Sequence, residues 1–396
     1  MTPPVAPVSA ADVTDFPMVE LAGTAFERGQ RHGQALKTHV LGSVALYAAQ
    51  LRAMNHDWAG IAAIAREFLP VVEGFDGSYV EEMRGIAQGA GCDLEHILLI
   101  NARTEILQIG RMRAGIPDEE PDGCTGAVVL GAETAHGRLI HGQNWDWRPE
   151  CAHTTVVLKI RRDDGPDLLT MTEAGGLARC GMNSAGIAIT ANYLECDRDY
   201  AQVGVPLALI RRKVLEQAHM ALAMKTVATT PKSASNNMML SWSQGFAIDF
   251  ECAPDEAFQI YPDADGMIVH ANHWTSPVAL SKLRDTGIPF VPESFYRDWR
   301  VRRALAARRG QITRADLKAA FFDDFGVPYS VCRPPRPGAG GSISSTVAMV
   351  VMEPAAGVME VAPMPALRDR FTTYTLDMDE TATRDARACA PARPTA

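Results

Sequence analysis

The sequence predicts an α+β protein in which two antiparallel sheets are stacked and helices cover their outer faces. Three observations carry this expectation. The first 110 residues place apolar side chains at helical spacing. The stretch after Gly123 is a succession of short strand-like runs. The order of elements lacks the regular strand–helix alternation of a parallel sheet.

Between Thr24 and Met54, the residues Phe26, Leu36, Val40, Val44, Tyr47 and Leu51 recur at the spacing of one helix face. Further helical stretches are Ala59–Leu69, Tyr79–Gly89 and Leu94–Ile109, the last with Asp93 placed to cap its N-terminus. Gly29 and Gly33 are four residues apart on a helix, which predicts close helix packing and not a phosphate loop. Arg111–Gly123 (RMRAGIPDEEPDG) carries prolines, glycines and clustered acids, the composition of a surface loop open to cleavage. The strand-like runs then follow: Thr125–Leu130, Arg138–Asn144, Thr154–Ile160, Leu168–Glu173 and Gly186–Ala191. After a helical stretch at Leu207–Thr226 come Asn237–Trp242, Phe246–Glu251, Ala257–Tyr261 and Met267–Ala271. Helices are expected near Glu293–Arg309 and Thr313–Phe322, and the last strands at Ser344–Met352, Gly357–Val361 and Arg370–Tyr374. No internal repeat is present. Residues 1–18 read as a disordered leader rich in Pro and Ala, and residues 381–396 as a disordered tail.

Composition narrows the function classes. The chain of 396 residues is 47% hydrophobic and 21% charged, with a net charge of −9, normal for a globular protein with a sizeable core. An acidic chain has no general attraction for nucleic acid or an anionic membrane surface. No run of eighteen apolar residues is present, and the N-terminus has neither a basic nor an apolar signal segment, so a cytoplasmic protein is expected. The eight cysteines are scattered without paired short spacing, which fits buried thiols in a reducing compartment.

One cysteine stands apart. Cys124 lies where the loop meets the first strand. If the chain turns near Thr134–Ala135 and returns as a hairpin, Cys124 comes opposite Trp145, with Asp146 beside it. Neighbouring strand residues face opposite sides, so Asp146 needs a local bend to meet the thiol. On these residues alone, a strand-edge cysteine is more often packing than chemistry.

The chain also carries GTAFERGQRHG (Gly23–Gly33), EEMRGIAQGAG (Glu81–Gly91), LINARTE (Leu99–Glu105), DGCTGA (Asp122–Ala127), GQNWDW (Gly142–Trp147), TEAGG with GMNSAGIA (Thr172–Gly176, Gly181–Ala188), HANH (His270–His273) and YSVCR (Tyr329–Arg333). In these motifs and their order it resembles the acyl-coenzyme A:6-aminopenicillanic acid acyltransferase (isopenicillin N acyltransferase-like) family of N-terminal-nucleophile hydrolases, from about Val19 to about Tyr374. The resemblance implies a four-layer αββα sandwich and self-cleavage between Gly123 and Cys124. It divides the chain into a helical α chain (19–123) and a catalytic β chain (124–380) that stay associated. It implies that Asn272 is an oxyanion-hole donor, that Asp146 orients the nucleophile's amine and that Arg333 pairs with that acid; Ser235 is a looser match to a serine near the substrate. The freed α-amino group, with a pKa of about 7.7–8.0, is then a general base beside the thiol.

Other readings of the same residues stand beside these. His270 and His273, or Cys151 and His153, have spacings a metal ion uses, but structural roles are favoured and no metal or other cofactor is expected. Asp146 also fits a turn residue, and Arg333 a solvated charge. Glu81 with Arg84, and Arg103 with Glu105, read as helix-surface charges. The expectation is a self-processing cysteine amidohydrolase for a small N-acyl substrate, acting through an acyl-Cys124 thioester. Its alternative is an acyltransferase moving an acyl group from acyl-CoA or an amide to an amine. A non-catalytic binding protein and a Cys–His thiol protease are the rival classes. The acyl group, the amine and the formation of a homo-oligomer are left open.

Overall fold

The computed structural model describes residues 9–116, 123–337 and 343–380. The chain up to residue 116 forms β1 (Met18–Leu21) and six helices: α1 (Ala25–Ala35), α2 (Lys37–Ala53), α3 (Trp58–Glu67), α4 (Leu69–Ala90), α5 (Leu94–Asn101) and α6 (Arg103–Arg113). There follow β2 (Cys124–Val129), β3 (Ile140–Trp147), β4 (Thr155–Ile160), β5 (Leu168–Glu173), β6 (Cys180–Asn183), β7 (Ile187–Tyr193), α7 (Leu207–Leu215) and α8 (Met220–Thr229). Then come β8 (Asn236–Trp242), β9 (Phe246–Cys252), β10 (Ala257–Ile260), β11 (Met267–His270), α9 (Pro277–Leu280), α10 (Ser294–Ala306) and α11 (Arg314–Phe321). The last elements are β12 (Arg336–Pro337), β13 (Ile343–Glu353), β14 (Val358–Pro363) and β15 (Thr372–Thr375).

Two sheets result. The first has the order β1-β4-β5-β6-β7-β8-β9-β10, antiparallel apart from the parallel β1–β4 pair; the second runs β11-β2-β3-β13-β14-β15, antiparallel throughout, with β12 beside β13. Alternation along β2 shows the layering. Ala127 and Val129 join Val301, Leu305, Leu317 and Phe321 of α10 and α11, while Val128 packs with Met239, Ala247 and Ile268 between the sheets. Helices α2, α7 and α8 cover the outer face of the first sheet. The architecture is therefore the expected αββα sandwich with two stacked, predominantly antiparallel sheets.

Between the sheets the apolar cluster is small and polar side chains complete the contact. His141 on β3 bonds Ser241 and Thr190, each at 2.8 Å, and Gln143 donates to Ala191 O and Asn192 Oδ1 across the gap. Buried polar groups of this kind are stable only when paired.

Strand boundaries match the expectation to within two or three residues, and β1, β6 and the two-residue β12 are additional. Two expected helices are each split by one residue. Leu36 (φ −117°, ψ 25°) separates α1 from α2, and Ala102 (φ −118°, ψ 27°) separates α5 from α6. Both flanks keep the apolar periodicity, so the pattern cannot register a single non-helical residue between them. The glycine expectation acquires a partner element. A Cβ on Gly29 would sit 1.9 Å from Glu82 O, and one on Gly85 2.2 Å from Phe26 O, so α1 and α4 touch backbone to backbone. The leader is corrected. Residues 1–8 lie outside the described residues, but Val13 and Phe16 are buried, and their carbonyls accept from Arg368 and the Tyr374 hydroxyl. The expected tail, 381–396, also lies outside the described residues.

Candidate active site

Cys124 opens β2, paired with Trp145 of β3 in the expected register. It is 4% exposed and forms part of the wall of a cleft that Arg103, Trp147, Arg179 and Arg211 also line. Its backbone N–H donates to Asn272 Oδ1 at 2.7 Å, and its carbonyl accepts from Arg297 Nη1 at 2.7 Å. The preceding carbonyl, of Gly123, accepts from the Asp146 N–H at 3.1 Å. Both sides of the Gly123–Cys124 step are thus held by fixed hydrogen bonds.

Asn272 follows β11, which pairs with β2, so the sheet itself brings residue 272 to the start of β2. Its Oδ1 also accepts from Arg297 Nη2 at 2.9 Å, and its Nδ2 donates to Tyr193 O at 2.9 Å. The side-chain amide therefore has a defined orientation, with oxygen toward Cys124 N. The loop beyond it is anchored by Glu251, whose carboxylate accepts from His270 Nε2, Thr275 N–H and hydroxyl, and Ser276 N–H. His273 Nδ1 meets Ser294 Oγ at 2.7 Å. Both histidines of the motif are thus engaged in structure. Among the described residues no group of three His, Cys, Asp or Glu side chains is placed to hold a metal ion.

Asp146 and Arg333 are brought together, both fully buried, with Nε 3.3 Å from Oδ2. Thr346 Oγ1 donates to Asp146 Oδ1 at 2.7 Å and accepts from Arg333 N–H at 2.8 Å; Arg333 Nη2 also meets Glu293 Oε1 at 2.6 Å. The β3–β13 register shifts between Thr346 and Ala348, an irregularity carried by β13 opposite Asp146, and the Asp146 carboxylate meets Thr346 and Arg333. The same guanidinium packs on Gly123, where a Cβ would come within 2.7 Å of Nη2. No larger residue fits before Cys124 without displacing Arg333.

The thiol's surroundings oppose one another. Burial pushes the Cys124 pKa up, Asp146 adds to this, and Arg179 and Arg297 pull it down, with the net direction upward. The group is a thiol at neutral pH and needs a base to react. Arg179 stacks on the ring of Trp145 at 3.9 Å.

Sequence reasoning missed Arg297, although a signal was there. On α10 the buried residues are Ser294, Arg297, Val301 and Leu305, so an arginine occupies the apolar stripe. Arg103 and Glu105, expected on a helix surface, are buried, and this expectation is corrected: Arg103 lines the cleft and pairs with Glu173 at 2.7 Å. Ser235 is fully buried, bonded to Asp199 at 2.6 Å and near Cys196, while its neighbour Asn236 contributes to the cleft wall.

Comparison with known proteins bears on these residues. Residues 133–363 match the family model described as acyl-coenzyme A:6-aminopenicillanic acid acyl-transferase, a span that begins after Cys124 and includes Asp146, Asn272 and Arg333. The chain belongs to this family. The acyl-coenzyme A:6-aminopenicillanic-acid-acyltransferase 40 kDa form of Emericella nidulans is 27% identical over 336 residues, covering 85% of this chain and 89% of that protein. Among solved structures, a variant of the conjugated bile acid hydrolase from Clostridium perfringens is 13% identical with a TM-score of 0.47, covering 65% of this chain and 94% of that one. Penicillin V acylase from Agrobacterium tumefaciens is 17% identical with a TM-score of 0.42, covering 65% and 88%. As a member of the acyl-transferase family the chain is an enzyme of acyl transfer or amide hydrolysis. None of its described helices is long and apolar enough to cross a membrane.

Proposed function

We propose that the chain cuts itself between Gly123 and Cys124 and then hydrolyses a small N-acyl amide through an acyl-Cys124 thioester. The observation that carries this is the grip on that one peptide step: Cys124 N–H on Asn272, Cys124 C=O on Arg297 and Gly123 C=O on the Asp146 N–H, at the wall of the cleft. A carbonyl already accepting a hydrogen bond is polarised toward attack by the adjacent thiol. Attack moves the Gly123 acyl group from nitrogen to sulfur. Water then opens the thioester, leaving a Gly123 carboxylate and a free Cys124 amine.

In turnover the amine takes the thiol proton and the thiolate adds to the substrate carbonyl. The proton passes to the departing amine, and water releases the acid from the thioester. Asp146, held by Arg333 and Thr346, orients the amine. Asn272 is proposed as oxyanion donor, since Nδ2 carries a second N–H besides the one on Tyr193 O. An amine in place of water at the last step would make the enzyme an acyltransferase, with acyl-CoA or an amide as donor. Ser235 is proposed to act only through its neighbour Asn236 on the cleft wall.

The proposed fragments, 19–123 and 124–380, have reasons to remain together. Strand β1 lies in the first sheet beside β4, and the buried pairs Arg212–Glu82 (2.9 Å) and Arg103–Glu173 (2.7 Å) bridge the two segments. The test is direct. Purified protein should run as two bands on a denaturing gel and as one species under native conditions, with the larger fragment beginning Cys-Thr-Gly. Cys124→Ala should stay a single chain without activity on a panel of N-acyl amines and acyl thioesters. Full activity from an intact backbone would refute the proposed base.

A further inference from the structure

Three buried guanidiniums of this fold are bonded to acids, Arg103 to Glu173, Arg212 to Glu82 and Glu216, and Arg333 to Asp146 and Glu293, while Arg297 is bonded to the Cys124 carbonyl, Thr125 and Asn272. Buried Arg211 and partly buried Arg179, neighbours in the cleft wall, are not so bonded. Arg179, between β5 and β6, and Arg211, on α7 and 7% exposed, make no ion pair or side-chain hydrogen bond among the described residues, and the Nε of each is buried without an acceptor. Glu105, the acid whose charge reaches Arg211, accepts the Leu207 N–H at 2.8 Å with Oε1. Both arginines line the main cleft, which also holds Cys124, and a small side pocket next to it.

An unbonded buried cation such as Arg211 is costly, and a second positive charge beside it adds repulsion. Arg211 feels both effects: burial first, then the charges of Arg179 and Arg103, hold it down to about 9. A cleft wall with this arrangement is completed by an anion, and planar guanidiniums match a carboxylate bidentately. We propose that Arg179 and Arg211 bind a carboxylate of the substrate beside Cys124. The enzyme's N-acyl compound is then an anion at neutral pH.

The assignment of this carboxylate to the substrate rests on the function proposed above. Two placements share the chemistry. The carboxylate belongs either to the amine half, as in an N-acyl amino acid, or to the far end of the acyl half, as in a dicarboxylic monoamide. Two matched pairs separate them: N-phenylacetylglycine against its primary amide, and glutaryl- against butyryl-p-nitroanilide. In one pair the carboxylate member should have a kcat/KM higher by about 10- to 100-fold, the range of charge-assisted bonds. That ratio should fall toward one in Arg211→Gln. Equal turnover within both pairs, or a ratio unchanged in Arg211→Gln, overturns the proposal. If Arg211→Gln does not fold, the wild-type ratios and Arg179→Gln decide. A second readout needs no turnover: the rate of Cys124 alkylation by iodoacetate relative to iodoacetamide, followed by mass spectrometry. The proposal expects this ratio to exceed that of free cysteine and to drop in Arg211→Gln. A raised ratio with no amide cleaved keeps the carboxylate site and removes the proposed reaction. Amides cleaved with no charge preference and no raised ratio remove the site and keep the reaction.

Discussion

At the residue scale, the side-chain amide of Asn272 has its oxygen committed to Cys124 N and Arg297, and one N–H committed to Tyr193 O. If its remaining N–H meets the oxyanion, the contact acts only in the transition state. Asn272→Ala should then lower kcat by about 10²–10³ with KM little changed, measured on the cut protein. Asn272→Asp should do worse, because a carboxylate repels the oxyanion, while His273→Ala next door should keep kcat. An unchanged kcat in Asn272→Ala would assign the oxyanion to backbone N–H groups. Asp146 and Arg333 form one unit with Thr346 and Glu293. Asp146→Asn and Arg333→Ala should each slow maturation or turnover, and the double variant should cost less than the sum of the two. Additive losses would show that they do not serve the same site. This pairing was legible in the NWD and YSVCR motifs. Arg297 and Thr346 were not, because a helix stripe and a strand run name faces, not the groups they meet.

At the element scale, α1 and α4 are joined by four glycines. Cβ atoms on Gly29, Gly33, Gly85 and Gly89 would each lie within about 2.3 Å of a backbone oxygen of the facing helix. Backbone atoms cannot swing aside as a side chain does, so Gly29→Ala must part the helices. Overpacking of this kind costs about 1–3 kcal/mol, and here the upper end is expected. Thermal denaturation should show a lower Tm for Gly29→Ala, while Gly74→Ala on the same α4, with nothing within 4 Å of its Cβ, should match the wild type or exceed it. Equal losses at both sites would show that the contact does not set stability. The spacing of Gly29 and Gly33 announced a close approach. Which helix approached was invisible, since α4 lies far along the chain and meets α1 only in the folded state.

At the scale of the whole molecule, buried histidines make stability depend on pH from two sides. His32, His141 and His273 are each pushed down to about 3, chiefly by burial, and are neutral in the fold. In the unfolded chain they protonate near 6.5, so below that pH the unfolded state binds more protons and stability falls as the pH drops toward 3. His270 behaves in the opposite sense. Burial alone would lower its pKa, but its hydrogen bond to Glu251 and the charges of Asp249 and Glu251 hold it up to about 9. Its contribution is complete below 6.5 and is lost as the pH rises through 9. The Tm should therefore fall on both sides of neutrality. His270→Gln should flatten the alkaline limb and leave the acid limb in place. An alkaline limb unchanged in His270→Gln would place its cause elsewhere.

The sequence by itself determined most elements, their order, the hairpin register that sets Cys124 opposite Trp145, and the motif residues Asp146, Asn272 and Arg333. The elements and the register follow from local periodicity and spacing, which the chain carries along its length, while the three motif residues were named by the family resemblance. Tertiary structure alone decided what those residues touch. It put Arg103 and Glu105 inside, set Arg297 on the Cys124 carbonyl and left Arg179 and Arg211 unbonded in the cleft. An arginine reads the same in a sequence whether water, an acid or a substrate will face it. Which of these it meets depends on surfaces brought together from distant parts of the chain, and that is settled only when the layers pack.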